Sequence, residues 1–460
     1  MFLKHSAVSQ GIYTNKQLLL TMLLWLAFGV VLRYGALPLI FLHLVFLFNK
    51  GKIVYCFIGF IFIIILSDSR HPELRFAQDL KTLVVVLFAL ALMKGKVGTF
   101  SFKTYIKWYV YFLPFILVAL LCIIYSPAAL SAFQKTISYL LLIVIGPTTF
   151  YALYETYGEK FLRTFVLSGV AVFVAGFVLY MINPTIVMYN YGGRSSGALG
   201  NPNGLGIFCF LFYILYYIVQ HYFPHLFSKR EHLLIPVLII ASLLWSGSRG
   251  QTLSLLIFVV TQFLSRRNKA AGLILSAAIG IMLILIDIDI VAIASTFGFE
   301  DYLRVDSLEA GGGRVVARAF AWEQIQKSPW VGNGFNYTEY IYHQHFYELS
   351  RLGHEGNAHN TFLTVWLDTG LIGLFLFVAG WGVLFWKAAN RSYLAIPIVF
   401  AVIASNMVES WLIGSLNPYT ILLLIMLTLL IYIVKDAPAV AIARPDRNKR
   451  VPAMPEPLHS

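Results

Sequence analysis

Three arginines in this chain sit against glycine. Arg194 lies in Tyr191-Gly-Gly-Arg-Ser-Ser-Gly-Ala-Leu-Gly-Asn-Pro-Asn-Gly204, Arg249 in Ser246-Gly-Ser-Arg-Gly250, and Arg314 closes Gly311-Gly-Gly-Arg314. Glycine lets backbone N–H groups approach an oxyanion closely. Arginine adds a permanent forked donor that matches phosphate. Where such a turn opens a helix, the helix N-terminus favours an anion further. Residues 314–327 read as a helix ended by Ser328-Pro329, and Arg318 falls one turn after Arg314, so both guanidinium groups share a face. Two cations in a first turn oppose the helix dipole, and a bound diphosphate would offset that cost. The alternative use of each arginine is an ion pair with Glu300, Asp301, Asp306 or Glu309, or with a lipid phosphate.

Proton transfer is the second chemistry. His359, in Gly353-His-Glu-Gly-Asn-Ala-His-Asn360, stands at the N-terminus of an expected helix, where the dipole disfavours imidazolium and leaves the neutral ring that a general base needs. A capping histidine bonded to a backbone carbonyl is the bland alternative. Asn360 follows it directly. Asp287, Asp289, Asp368 and Glu409 interrupt apolar runs, and acids in such places face a polar cavity or one another. Their expected use is pairing with the arginines, and Asp368 orients His359 only if the cavity reaches about two helical turns deep. GxxxxGK[ST] is absent, so no P-loop is expected. His343 and His345 are two apart and fall on different helix faces, so no metal and no cofactor are expected.

The elements that must carry these groups are membrane helices. Of 460 residues, 59% are hydrophobic and 12% are charged, against roughly a quarter charged in ordinary soluble domains. The apolar residues come in runs and do not alternate, which excludes a soluble enzyme and an outer-membrane barrel. The expected fold is all-α and polytopic, with 12–14 transmembrane helices. The net charge of +13 would indicate nucleic acid in a soluble chain. Here, with the N-terminus placed inside and the spans alternating, 22 of the 34 basic residues fall in cytoplasmic loops, so no nucleic-acid partner is expected. The start has no small-residue cleavage site before its apolar run and reads as a retained cytoplasmic segment. Both termini are expected in the cytoplasm. N-terminal transmembrane helices occupy 1–183, and 184–291 holds helices with Arg-bearing outer loops. A large outer loop with short helices follows at 292–358, then C-terminal transmembrane helices at 359–434 and a disordered cytoplasmic tail at 435–460. The Gly-flanked arginines and His359 all fall outside, where the expected anion is a lipid-linked phosphate or diphosphate.

The motifs Gly193-Arg-x-x-Gly, Asn201-Pro-Asn203, Ser248-Arg-Gly250, Gly313-Arg with Trp322, Ser328-Pro and Gly332-x-Gly334, and His359-Asn-x-x-Leu with Gly370-Leu-Ile-Gly373 resemble the bacterial O-antigen ligase/polymerase superfamily. The resemblance implies an inverting, metal-independent glycosyltransferase of the inner membrane with a periplasmic active site. Its donor would be undecaprenyl-diphosphate-linked O-antigen and its acceptor the lipid A core, both reached among membrane lipids. It implies diphosphate binding by Arg194, Arg249 and Arg314, to which helix spacing adds Arg318, and a general-base role for His359. Asn360, Asp368 and Glu409 stand as supporting residues. Two further readings share the pattern: a polymerase extending a lipid-linked glycan, and a non-enzymatic transporter or flippase of that glycan.

Overall fold

The computed structural model describes residues 15–69, 72–93, 109–188, 193–267, 272–274, 277, 312–354 and 356–434. The acids Asp287, Asp289, Glu300, Asp301, Asp306 and Glu309, most of the span expected at 270–291, and the tail lie outside them. The helices, in chain order, are α1 (Asn15–Leu32), α2 (Ala36–Asn49), α3 (Ile53–Ser67), α4 (Phe76–Met93), α5 (Leu113–Leu121), α6 (Ala129–Tyr157), α7 (Glu159–Ile182) and α8 (Pro202–Tyr222). They continue with α9 (Lys229–Ser246), α10 (Arg249–Arg267), α11 (Gly312–Lys327), α12 (Tyr337–Gln344), α13 (Phe346–Arg351), α14 (Thr361–Arg391), α15 (Ala395–Val408) and α16 (Pro418–Thr428). No strand occurs among the described residues, only an isolated bridge between Met188 and Ser195. The protein is an all-α polytopic membrane protein. Five described helices are long and apolar enough to cross a bilayer: Leu20–Asn49, Ala129–Tyr157, Glu159–Ile182, Pro202–Tyr222 and Thr361–Arg391. The first runs through α1 and α2. A 3-10 turn at Arg33–Gly35 lies between them. Shorter apolar helices include Ile53–Ser67, Ala395–Val408 and Pro418–Ile433.

Lipid as solvent explains which faces stay open. On α5, Leu113, Leu117 and Leu121 are exposed at every fourth position, and on α9 Leu233, Val237, Ile240 and Leu244 are exposed at spacings of three and four. Helices α8 and α16 lie inside the bundle with most of their side chains buried. Hydrocarbon offers no hydrophobic drive between helices, so close packing at small residues does the joining. Gly169 of α7 receives the Phe212 ring of α8, and Gly59 of α3 receives Trp25 of α1. Helix starts follow local chemistry. Asn201 caps α8 by accepting from Gly204 N (2.8 Å), with Pro202 in the first turn, and Asn417 caps α16 in the same way ahead of Pro418. Ser228 and Glu231 form a capping box on α9, whose C-cap Gly247 is left-handed.

One long helix is broken on purpose. Within α14, Gly370 has φ 68° and ψ −177°, which interrupts the helical ladder. The loop that follows α11 fills the break. Leu371 N donates to Pro329 O (2.9 Å) and Ile372 N to Trp330 O (3.3 Å). In the other direction Asn333 N and Gly334 N donate to Asp368 O (3.1 and 2.8 Å). The Trp366 indole adds a bond to Pro329 O (2.9 Å). Two backbones therefore meet at Gly332 and Gly370, where a β-carbon on either would collide with the other chain's main-chain atoms. The part of α14 after the break, residues 371–391, is about 31 Å long at 1.5 Å per residue, one hydrocarbon thickness.

Gly370→Ala combines an unfavourable φ with a backbone collision, so it should cost about 2 kcal/mol or more. The apparent melting temperature of the detergent-solubilised protein should drop by several degrees. Gly382→Ala, in the same helix with nothing within 4 Å of the added methyl, should leave it unchanged. Equal melting of both variants would show that the loop is not locked into the break.

Candidate functional site: an arginine cluster around one carboxylate and a histidine

Six separate pieces of chain converge at one end of the bundle. The loop before α8 carries Arg194, and the first turn of α8 carries Asn203. Arg249 opens α10, while Arg314 and Arg318 lie in the first two turns of α11. His359 and Asn360 precede α14, and Glu409 caps the C-terminus of α15. The α9–α10 turn is short because left-handed Gly247 reverses the chain at once. That turn supports Arg194, whose Nε donates to Ser246 O (2.8 Å) and whose Nη2 donates to Asn203 Oδ1 (2.8 Å). Arg249 is half-buried at the first position of α10, and its neighbour Gly250 packs on Val408, the residue before Glu409.

Glu409 is the point of convergence. Its Oε1 accepts from Arg314 Nη2 (2.6 Å) and from Asn203 Nδ2 (2.7 Å). Its Oε2 stands 3.2 Å from His359 Nδ1. Asn203 thereby links Arg194 to the same carboxylate. Burial alone would raise the Glu409 carboxyl, but His359, Arg314 and the Asn203 amide outweigh it and hold the group below its ordinary value of 4.5. Four arginines against this one acid leave a formal excess of 4 − 1 = +3 among the described residues of the site. Arg318 is tied differently. Its Nη2 donates to Met407 O (2.8 Å), a carbonyl at the end of α15 that Asn360 Nδ2 also reaches (3.3 Å). Burial, and then the neighbouring Arg314 charge, press the Arg318 guanidinium below its usual value, and its Nε is buried with no partner among the described residues.

His359 is held from its backbone as well as from its ring. It adopts φ 45°, left-handed and uncommon for a side chain of this size, and its N–H donates to Asn357 Oδ1 (2.8 Å). Asn360 then caps α14, accepting from Phe362 N and Leu363 N (2.9 and 3.1 Å). The ring of buried His354 meets His359 edge-on with centroids 5.7 Å apart. His359 Nε2 makes no hydrogen bond among the described residues. One ring nitrogen is anchored to a carboxylate while the other is open, the arrangement of a general base.

Asp368 serves another purpose. It is fully buried two turns into α14, where Oδ1 accepts from Thr338 N and Thr338 Oγ1 (2.7 Å each) and Oδ2 from Asn336 N (2.9 Å). Lys135 Nζ lies 3.8 Å away. Asp368 makes no contact with His359, because the carboxylate is spent on the loop it anchors. Two participants escaped the sequence reading. Asn203 stood in the Asn-Pro-Asn motif, but nothing local says that its side chain bridges an arginine to an acid. His354 is a loop residue with no local signal of a role, yet it forms one wall of the His359 site.

Residues 234–378 match the family model described as O-antigen ligase. The resemblance of the chain to the O-antigen ligase/polymerase superfamily is thus shown on that segment. It contains Arg249, Arg314, Arg318, His359, Asn360 and Asp368, whereas Arg194, Asn203 and Glu409 reach the site from outside it. No curated protein matches the chain.

If Asp368 serves the loop and not the chemistry, Asp368→Asn should lower stability by about 1–3 kcal/mol, since an amide nitrogen then faces a backbone N–H or Lys135. Thermal unfolding should report that loss, and the pH dependence of any activity should keep its shape. A changed pH dependence would return Asp368 to the reacting centre.

Proposed function

We propose that this protein is an inverting, metal-independent glycosyltransferase. It moves O-antigen glycan from undecaprenyl diphosphate to the lipid A core at the periplasmic face of the inner membrane. The observation that carries the reading is the site itself: four arginines with one carboxylate among them, beside a histidine whose Nε2 is open, at one end of a membrane-helix bundle. The family match supports ligase- or polymerase-type chemistry in general. The orientation rests on the positive-inside rule, which puts this end of the bundle outside.

In this reading Arg194, Arg249, Arg314 and Arg318 receive the donor diphosphate, whose negative charge matches their excess. Forked donors stabilise the charge that grows on the leaving oxygen. His359 Nε2 takes the proton of the acceptor hydroxyl. The acceptor oxygen forms a bond to the anomeric carbon from the face opposite the diphosphate, the carbon–oxygen bond to phosphate breaks, and undecaprenyl diphosphate departs. A single displacement inverts the anomeric centre and needs no protein nucleophile. Asn360 holds the start of α14 in place. Placing donor and acceptor side by side supplies much of the rate, as it does wherever two reactants are held in register.

Purified protein given the lipid-linked donor and lipid A core should form ligated product in the presence of a chelator and without nucleotide. Longer lipid-linked glycan as the sole product would identify a polymerase. Absence of any product from competent substrates would sink the enzyme reading and leave transport. His359→Ala should reduce transfer by about 10²–10⁴-fold, the usual worth of a general base, while donor binding persists. Arg314→Ala should weaken both donor binding and transfer. Wild-type turnover by His359→Ala would remove the base assignment.

A further inference from the structure

We propose that Glu409 is the positioning residue of this site: it turns the His359 ring so that Nε2 faces the reacting hydroxyl, and it ties that ring to the anion-binding arginines. The inference rests on the glycosyl-transfer reading above and adds a residue from outside the segment that matches the family.

The tautomer follows from the partners. Glu409 is ionised, with Oε1 already accepting from Arg314 and Asn203. An ionised carboxylate only accepts hydrogen bonds, so the His359 nitrogen facing Oε2 must carry the proton. Nδ1 is therefore the N–H, and the lone pair lies on Nε2, which makes no bond among the described residues. Nothing else in the described structure fixes the ring by hydrogen bonding. The backbone bond to Asn357 sets where the chain runs, and the His354 contact is edge-on and apolar in kind. Asp368 is committed to Asn336 and Thr338.

Both Glu409 oxygens are thus in use, each for a different half of the reaction. An amide cannot replace them: its oxygen could serve the arginine and Asn203, or the imidazole, while its NH2 would confront a donor on the other side. The described charged and titratable groups around His359 are Glu409 from the end of α15 and His354 from the preceding loop, which contact its ring, and Arg314 and Arg318 from α11, which bond Glu409 and the nearby Met407 carbonyl. Burial, and then the charge of His359, hold the His354 imidazole below its ordinary value, so His354 adds no competing charge near neutral pH. Glu409 is the one negative charge in this set.

The experiment compares wild type, Glu409→Gln and Glu409→Asp in the purified full-length protein, with undecaprenyl-diphosphate glycan and lipid A core as substrates and His359→Ala as the reference for loss of the base. Glu409→Gln should lower kcat by about 10²-fold or more with little change in acceptor KM. The acid limb of its residual pH–rate profile should move to lower pH, because the imidazolium has lost its counter-charge. Glu409→Asp, which keeps the charge, should recover part of kcat and move the limb back toward wild type. A Glu409→Gln enzyme with wild-type kcat and an unmoved limb would overturn the inference and leave the transfer reading intact. A wild-type enzyme that forms no product would overturn the reading and the inference with it. If Glu409→Gln does not fold, Glu409→Asp decides: unaltered kcat and limb despite the shortened reach would refute positioning, and a lowered kcat that an unchanged donor affinity accompanies would support it.

Discussion

Glu409, the one carboxylate set among four guanidinium groups in the described residues, makes the interaction on which this site depends. Like charges brought together at the end of an apolar bundle repel, and the low dielectric nearby strengthens the repulsion. Glu409 offsets it, touching Arg314 directly and Arg194 through Asn203. Among the described residues the compensation is incomplete, and in the reading proposed above the remaining positive charge serves the anionic donor. A fully neutralised cluster would be a structural network with no appetite for an anion. An uncompensated one would not assemble without its ligand. A residual positive charge around an ordered carboxylate gives a site that is folded and still receptive.

The second constraint is the need of backbone groups near a membrane to find partners. Gly370 frees N–H and C=O groups in the middle of α14, and the strand of loop at 329–334 takes them up. The break is therefore a socket. It fixes the large loop to the helix whose start bears His359, with Asp368 clamping residues 336–338 from the side. Through this socket the loop carries α11, and so Arg314 and Arg318, to a defined position over the end of α15. The glycines at 332 and 370 are required by the close approach of two main chains and by their positive φ.

Most of the fold was legible in the sequence because hydropathy and charge report on the solvent, and a bilayer is a solvent with few options. The helix at 314–327, the tight turn at Arg249 and the start of α14 after His359 all follow from local signals: glycine, proline, asparagine caps and apolar runs. What was not legible is the pairing. Asp368 and Glu409 look alike along the chain, each an acid interrupting an apolar run. One is swallowed by loop backbone and the other stands between arginine and histidine. Nothing within ten residues of either distinguishes them, since the difference arises from which distant segment arrives. The same holds for Asn203, whose role exists only once α8, α9 and α15 have come together.

The matched segment does not complete the site by itself. It brings His359 and three arginines, yet the carboxylate that anchors the histidine, the fourth arginine and the amide joining them come from α15, the loop before α8, and α8. Their alignment depends on how α10 lies along α15, where Gly250 leaves room for Val408: a β-carbon added there would come within 2.8 Å of the valine side chain. One helical turn of slip is about 5.4 Å, well beyond the reach of a hydrogen bond, so such a shift would part Glu409 from His359 and Arg314 together. The packing of apolar helices, chosen by lipid, is in this sense what sets the geometry of the polar site. The close contact at Gly250 therefore bears on the polar site as much as the residues that line it do.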